Sequence, residues 1–150
     1  MRVYAETSAV LALLVAEPPA PLVREELSAA RLVVASSLTI LEARRVIVRG
    51  EAIAAVTAAR ASELRADLAR ICVGWSILSI DDDVLGRAER RFPREPIRAL
   101  DAIHLATALA IRETVGPITL LSLDERLRRS AVELGFPVAP ALGDTINEAG

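Results

Sequence analysis

The chain has 150 residues, of which 53% are hydrophobic and 25% are charged, and its formal net charge is −2. These values exclude a disordered chain, and no apolar run approaches the roughly 20 residues of a membrane span, so we predict one globular domain over residues 1–150 with no membrane association. All 18 basic residues are arginine, which excludes lysine-dependent Walker A loops and Schiff-base catalysis. Cys72 is the one cysteine and His104 the one histidine, which predicts a cytoplasmic protein without disulfides and excludes a His-Glu-x-x-His metalloprotease.

Short apolar runs alternate with longer helical patterns along the chain. The predicted strands span residues 2–5, 32–35, 76–80, 118–121 and 137–139, and the predicted helices span residues 8–16, 20–29, 38–49, 51–71, 82–91, 98–113 and 125–134. A glycine follows several helical runs, as at Gly50 and Gly116. Strands that are apolar on both faces predict an α/β fold, a three-layer α/β/α arrangement with a central parallel sheet of four to five strands.

Two acidic residues stand out in the first half of the chain. Glu6 follows the first predicted strand, where it would project from the strand's carboxyl end, although an acid that caps the next helix has the same position. Glu42 lies on an apolar line of its predicted helix. A capping box with Thr39 or an ion pair with Arg45 would also explain Glu42.

Two further acids lie in the second half. Asp101 belongs to a helix that is otherwise hydrophobic, so it either stays near the helix N-terminus or faces a polar pocket that holds a positive group. Asp124 directly precedes a predicted helix. Ser122 and Glu125 have the spacing of a capping box, which would make Asp124 an ordinary first-turn acid.

Taken together, the four acids predict a metal site. They lie at strand ends or on the helices beyond them, and a parallel sheet could bring them to one cleft. Two carboxylates about 4 Å apart repel by roughly 4 kcal/mol at an effective dielectric constant near 20, so four need a cation to stay ionised together. Oxygen ligands favour Mg²⁺ or Mn²⁺ over zinc, and such a site suits phosphodiester hydrolysis by a metal-activated water.

Four parts of the sequence resemble a known family. They are YAETSA from Tyr4, Glu42, LDAIHLATA from Leu100 and LSLDERL from Leu121. In order and spacing they resemble the PIN-domain ribonucleases, and most closely the VapC-type toxins of bacterial toxin–antitoxin pairs. The likeness covers nearly the whole chain, and its specific parts are the segments that contain Asp101 and Asp124.

The resemblance implies both an activity and partners. It implies a Mg²⁺ or Mn²⁺ site, single-stranded RNA as the substrate, a homodimer, and an antitoxin that occludes the active site and binds operator DNA together with the toxin. The family's four catalytic, metal-binding acids and its two supporting hydroxyls fall on Glu6, Glu42, Asp101, Asp124, Ser8 and Ser122.

Glu6 departs from the family pattern, which usually has Asp at this position. The longer side chain displaces the carboxylate, and Mg²⁺ requires near-octahedral geometry, but we expect a shifted rotamer to retain activity. Two alternatives stay open. The chain could be a PIN-like nuclease that processes RNA without an antitoxin or, because of Glu6, a PIN-like binding module with weakened catalysis.

Arginines are concentrated in the sequence before Asp101. Guanidinium groups suit phosphate oxygens, so we predict that Arg91, Arg94 and Arg98 bind RNA, although a solvated helix surface has the same composition.

His104 follows Asp101 on the same helix face. We predict that it is packed and hydrogen-bonded, and contact with the substrate is the alternative.

Overall fold

Five strands form the central sheet of the structure, a computed structural model that describes residues 1–142. They are β1 (Arg2–Ala5), β2 (Leu32–Ser36), β3 (Ser76–Leu78), β4 (Thr119–Leu121) and β5 (Val138–Ala139). All neighbours pair in parallel, in the order β3-β2-β1-β4-β5. The order reverses between β1 and β4, and in open parallel sheets a ligand binds beyond the carboxyl ends of the strands at such a switch point.

Seven helices cover the two faces of the sheet in the described chain. They are α1 (Thr7–Leu14), α2 (Ala20–Ala29), α3 (Ser37–Ala52), α4 (Ala58–Ile71), α5 (Asp82–Ala88), α6 (Ala99–Val115) and α7 (Glu125–Glu133). The first four pack on one face and α5 to α7 on the other. The predicted three-layer α/β/α fold with a parallel sheet is confirmed.

Alternate side chains of each inner strand enter different cores. Val33 packs in a cluster with α1, α3 and α4, whereas the next residue, Val34, packs in the cluster that contains Leu105 of α6 and Leu127 of α7. Because side chains alternate along a strand, an inner strand must be apolar on both faces, as its sequence indicated.

The predicted helix over residues 51–71, and the helix end predicted at Gly50, are wrong. Helix α3 continues through Gly50 to Ala52, and α4 begins only at Ala58. The end of α3 is closed by Ala54, which has a φ of 57°, and by a hydrogen bond from the backbone N–H of Ala55 to the carbonyl of Gly50 (2.8 Å). Glycine usually takes this left-handed position, so an alanine there carries no stop signal in the sequence.

The strand predicted over residues 76–80 is shorter and less covered than expected. It ends at Leu78, and all three residues of β3 are exposed because β3 is an edge strand of the sheet.

Within residues 1–142, no helix combines the length and apolar character needed to cross a membrane. The last part of the predicted domain, residues 143–150, lies outside the described residues.

Candidate active site

Glu6 and Asp124 lie at the switch point, beyond the neighbouring strands β1 and β4. The backbone N–H of Glu6 donates to the carbonyl of Leu121, the last residue of β4, at 3.0 Å. Both acids have extended backbones and are N-caps, Glu6 of α1 and Asp124 of α7. The capping interpretation is therefore correct for Glu6. The capping box of Ser122 and Glu125 is wrong, because Asp124 itself caps α7, and the N-cap position places both acids at the carboxyl ends of the strands, where ligands bind.

The carboxylate of Glu6 is buried and bonded to two serine hydroxyls. Its Oε2 atom accepts hydrogen bonds from the Ser8 hydroxyl (2.5 Å), the Ser8 backbone N–H (3.1 Å) and the Ser122 hydroxyl (2.8 Å). The two hydroxyls in turn accept from the backbone N–H groups of Leu123 (2.8 Å) and Asp124 (3.1 Å). The serines thus tie Glu6 to the turn between β4 and α7.

Glu42, on α3, is held through one of its carboxylate oxygens. The Thr7 hydroxyl donates to Oε1 at 2.7 Å, and Nε2 of His104 lies 2.6 Å from the same atom. Burial alone would raise the pKa of Glu42, but the hydrogen bonds from His104 and Thr7 outweigh burial and lower this pKa, so the carboxylate is ionised at neutral pH. The two alternative explanations of Glu42 are not observed: within residues 1–142 it forms no capping box with Thr39 and no ion pair with Arg45.

His104 occupies the buried centre of the site. It is 2% exposed, its Nδ1 lies 2.7 Å from the Tyr4 hydroxyl, and its Nε2 lies 3.9 Å from Oε1 of Glu6. The prediction of a packed, hydrogen-bonded histidine is confirmed. Tyr4 and Thr7 were not predicted as site residues. For Tyr4 a signal existed, because residues two apart on a strand share a face and Tyr4 precedes Glu6 by two positions.

Asp101 lies in the first turn of α6, half-buried and close to Asp124. Burial and the negative charge of Asp124 raise the pKa of Asp101, and nearby cationic side chains offset this rise only in part. In the described chain no hydrogen bond or ion pair reaches the Asp101 carboxylate, whereas Asp124 Oδ1 accepts two backbone N–H groups of α7. The pair therefore carries negative charge that the protein neutralises incompletely.

The four acids thus form two pairs. Glu6 and Glu42 both lie near Nε2 of His104, and Asp101 lies close enough to Asp124 for that charge to raise its pKa. Ser122 is bonded to both Glu6 and the backbone of Asp124. In residues 1–142, no three His, Cys, Asp or Glu side chains are spaced to hold one metal ion together. The Asp101–Asp124 pair fits Mg²⁺ or Mn²⁺ as a donor set, since Mg²⁺ commonly binds one or two carboxylates and keeps several waters. Ligation by all four acids stays a prediction.

The three arginines predicted to bind RNA lie before α6 or cap it. Arg91, Arg94 and Arg98 are exposed, and Arg98 is the N-cap of α6. Arg94 lies 3.6 Å from Glu133, a loose surface ion pair. Their guanidinium groups are therefore accessible to a polyanion that approaches Asp101.

Arg128, on α7, has a different role from these arginines. It is 9% exposed, and its guanidinium donates to the backbone carbonyls of Ser122 (2.8 Å), Ala139 (2.9 Å) and Pro140 (2.9 Å). It therefore ties the turn that carries Ser122 to the end of β5. The sequence analysis assigned no role to Arg128, although its position next to the buried Leu127 on α7 was an available signal.

Comparisons with known proteins show which family the chain resembles. The model of the PIN domain family matches residues 3–133. Over 137 residues the chain is 35% identical to Ribonuclease VapC46 of Mycobacterium tuberculosis (strain ATCC 25618 / H37Rv), and the alignment covers 91% of this chain and 95% of that protein. A match of this length and identity indicates common descent.

Two solved structures share the fold. VapBC2 from Rickettsia felis, bound to a DNA fragment from its promoter, has a TM-score of 0.67 at 11% identity and covers 93% of this chain and 98% of its own. Mycobacterium tuberculosis VapC20, a Sarcin-Ricin loop cleaving toxin, has a TM-score of 0.61 at 14% identity and covers 85% of this chain and 94% of its own. From the matched family model, the VapC46 relative and the fold, we conclude that the chain belongs to the PIN domain family, in its VapC-type branch.

Proposed function

We propose that this chain is a Mg²⁺- or Mn²⁺-dependent endoribonuclease that cleaves single-stranded RNA through a metal-activated water. The observation that carries the proposal is the Asp101–Asp124 pair. Burial and the charge of Asp124 raise the pKa of Asp101, nearby cationic side chains offset the rise only in part, and neither carboxylate forms an ion pair within residues 1–142. The pair lies at the switch point of a parallel sheet, and the relative VapC46 is a ribonuclease.

In this proposal Asp101 and Asp124 bind the ion directly. A metal bound there supplies Lewis-acid chemistry, which polarises a phosphate and makes water a stronger nucleophile. Glu6 and Glu42 support the site without binding the ion directly, since one oxygen of each already accepts hydrogen bonds: from serine hydroxyls in Glu6, and from Thr7 and His104 in Glu42. This proposal assigns direct ligation to two acids, whereas the sequence-based prediction assigned it to all four.

The substrate proposal rests on charge and on the few aromatic residues. Arg91, Arg94 and Arg98 give the approach to Asp101 a local positive charge in a chain whose net charge is −2. Aromatic residues make up only 3% of the sequence, so extensive base stacking is not expected. Recognition would depend mainly on phosphate contacts and on the shape of the RNA.

We further propose that the chain is the cytoplasmic toxin of a toxin–antitoxin pair and forms a homodimer. The VapC20 structure is that of a toxin, and the VapBC2 structure is a complex bound to promoter DNA. By analogy, a cognate antitoxin would block the active site, and operator DNA would be bound through the antitoxin complex.

RNA cleavage tests the catalytic proposal. Purified protein is incubated with a panel of fluorophore–quencher single-stranded RNAs in Mg²⁺, in Mn²⁺ and in EDTA. Asp101→Asn should lower the rate by roughly 100-fold or more, because metal catalysis contributes several kcal/mol and each 1.36 kcal/mol is tenfold. The matched control is Asp82→Asn, an exposed acid in the first turn of α5, which should cleave normally. Metal-independent cleavage, or full activity of Asp101→Asn, would refute the proposal.

A growth experiment tests the toxin proposal. Induced expression should arrest growth, and Asp101→Ala should relieve the arrest. A short open reading frame directly upstream would be the expected antitoxin gene. Absence of arrest together with RNA cleavage in vitro would favour a processing nuclease, and absence of both would favour a binding module.

A further inference from the structure

A buried chain of hydrogen bonds lies behind Glu42. The Tyr4 hydroxyl bonds Nδ1 of His104 at 2.7 Å, and Nε2 of the same ring bonds Oε1 of Glu42 at 2.6 Å. Tyr4 is fully buried and His104 is 2% exposed. Three side chains from β1, α6 and α3 are therefore joined in series.

The Thr7 hydroxyl also lies 3.3 Å from Nε2 of His104, but it donates its hydrogen to Oε1 of Glu42. The chemistry of Glu42 and Tyr4 then fixes one ring proton. An ionised carboxylate accepts hydrogen bonds and cannot donate them, so the hydrogen between Glu42 and His104 belongs to Nε2. The Tyr4 hydroxyl then holds the ring by its other nitrogen. A histidine bonded at both nitrogens has a defined ring orientation, as in the carboxylate–histidine pairs that orient metal ligands.

The opposite side of Glu42 is open. Its side chain is 27% exposed and lines a groove of about 620 Å³ together with Leu41, Arg45 and Leu100. In the described chain Oε1 accepts two hydrogen bonds and Oε2 accepts none. Glu42 is thus fixed to the protein by one oxygen and keeps the other oxygen free.

We propose that His104 is a positioning residue of the active site, which holds Glu42 in this orientation and is itself held by Tyr4. The inference rests on the proposed function, since it gives Glu42 a supporting part in RNA cleavage. His104 does not touch the RNA, because its ring is buried. It acts only through Glu42.

A double-mutant cycle tests this dependence. His104→Leu keeps an apolar side chain but removes the donor, and it should lower kcat by roughly 10- to 100-fold, the usual effect of losing a residue that orients a site ligand. His104→Gln retains a donor and should keep most of kcat, with KM unchanged in both variants. In a Glu42→Gln background His104→Leu should have no further effect. Thr107→Val is the control, because Thr107 is a buried residue of α6 whose hydroxyl, among the described residues, donates only to the carbonyl of Ile103.

The sole histidine permits a measurement that needs no substrate. Protein labelled with ¹⁵N-histidine gives signals from one imidazole ring, that of His104. We expect a proton on Nε2, a shift of the Nε2 signal in Glu42→Gln and a shift of the Nδ1 signal in Tyr4→Phe. An unprotonated Nε2, or no response to Glu42→Gln, would overturn the inference whether or not the protein cleaves RNA.

The kinetic outcomes separate the two proposals. Suppose that Asp101→Asn is inactive. If His104→Leu then has a normal kcat, or lowers kcat equally in the wild type and in the Glu42→Gln background, the positioning role is wrong and the nuclease proposal stands. If Asp101→Asn cleaves normally, the nuclease proposal fails. If His104→Leu does not fold, the kinetics of His104→Gln and Tyr4→Phe and the ¹⁵N spectrum test the positioning role instead.

Discussion

Ser122 shows how one hydroxyl can serve two acids. It donates to Glu6 at 2.8 Å and accepts from the N–H of Asp124 at 3.1 Å. In Ser122→Ala the buried carboxylate of Glu6 and the partly buried N–H of Asp124 each lose a hydrogen bond, so we expect the free energy of unfolding to fall by about 1–3 kcal/mol. RNA cleavage should fall by roughly tenfold or more.

Thermal unfolding and initial rates measure the two effects of Ser122→Ala. Ser130→Ala is the matched control, since Ser130 is also buried but its hydroxyl, within residues 1–142, donates only to the carbonyl of Arg126 on its own helix (3.2 Å). That variant should cleave RNA at the wild-type rate. Equal losses of activity in the two variants would contradict the role of Ser122.

Asp101 makes stability depend on pH. Burial and Asp124 raise its pKa above the usual value of 3.8, so between the usual and raised values the folded chain binds more protons than the unfolded chain. The free energy of unfolding therefore falls as pH rises through this window, and the loss persists above it. In EDTA, Asp101→Asn should melt above the wild type at neutral pH and show no advantage below about pH 4. A pH-independent difference would contradict this assignment.

Single acids could be predicted from the sequence, but their partners could not. Asp101 and Asp124 stand in distinctive segments, and the end of a strand is visible as a local pattern. His104 meets Glu42 across 62 positions and Tyr4 across 100 positions of the chain. Pairing over such distances depends on how α3 and α6 pack on the sheet, which hydrophobic periodicity does not specify.

At the level of elements, the sequence placed the end of α3 at the wrong residue. Gly50 looked like a stop signal, yet a glycine inside a helix costs only about 1 kcal/mol relative to alanine, and packing can outweigh that cost. The actual turn uses Ala54 with a φ of 57°. Its left-handed conformation is strained for any residue with a β-carbon.

This strain predicts a stabilising substitution. Ala54→Gly removes the β-carbon at a position where φ is positive, so the free energy of unfolding should rise by about 1 kcal/mol and Tm by about 2–4 °C. Ala55→Gly is the control. Ala55 is not among the residues with positive φ, so the extra flexibility of the unfolded chain should lower Tm or leave it unchanged. A lower Tm for Ala54→Gly would show that Ala54 is not strained.

For the whole molecule, the sheet order is what makes the site possible. The helices that Glu6 and Asp124 cap, and the helices α3 and α6 that carry Glu42 and Asp101, come together where the strand order reverses between β1 and β4. Alternation of strands and helices predicted a parallel sheet, but several strand orders satisfy that pattern. The division of the acids into two pairs follows from this order and from the packing of α3 and α6 on opposite faces of the sheet.

The two pairs predict different responses of global stability to metal. A ligand that binds only the folded state stabilises it, by about 2.7 kcal/mol at 100 times its Kd, or roughly 5–10 °C in Tm for a chain of this size. Mn²⁺ at that level should raise the Tm of the wild type and of Glu42→Gln, because the proposed function places the ion on Asp101 and Asp124 and not on Glu42. Asp101→Asn should lose the rise, as should Asp124→Asn. Loss of the rise in Glu42→Gln as well would mean that the acids ligate the ion together, because a residue outside the coordination shell has little direct effect on the binding energy.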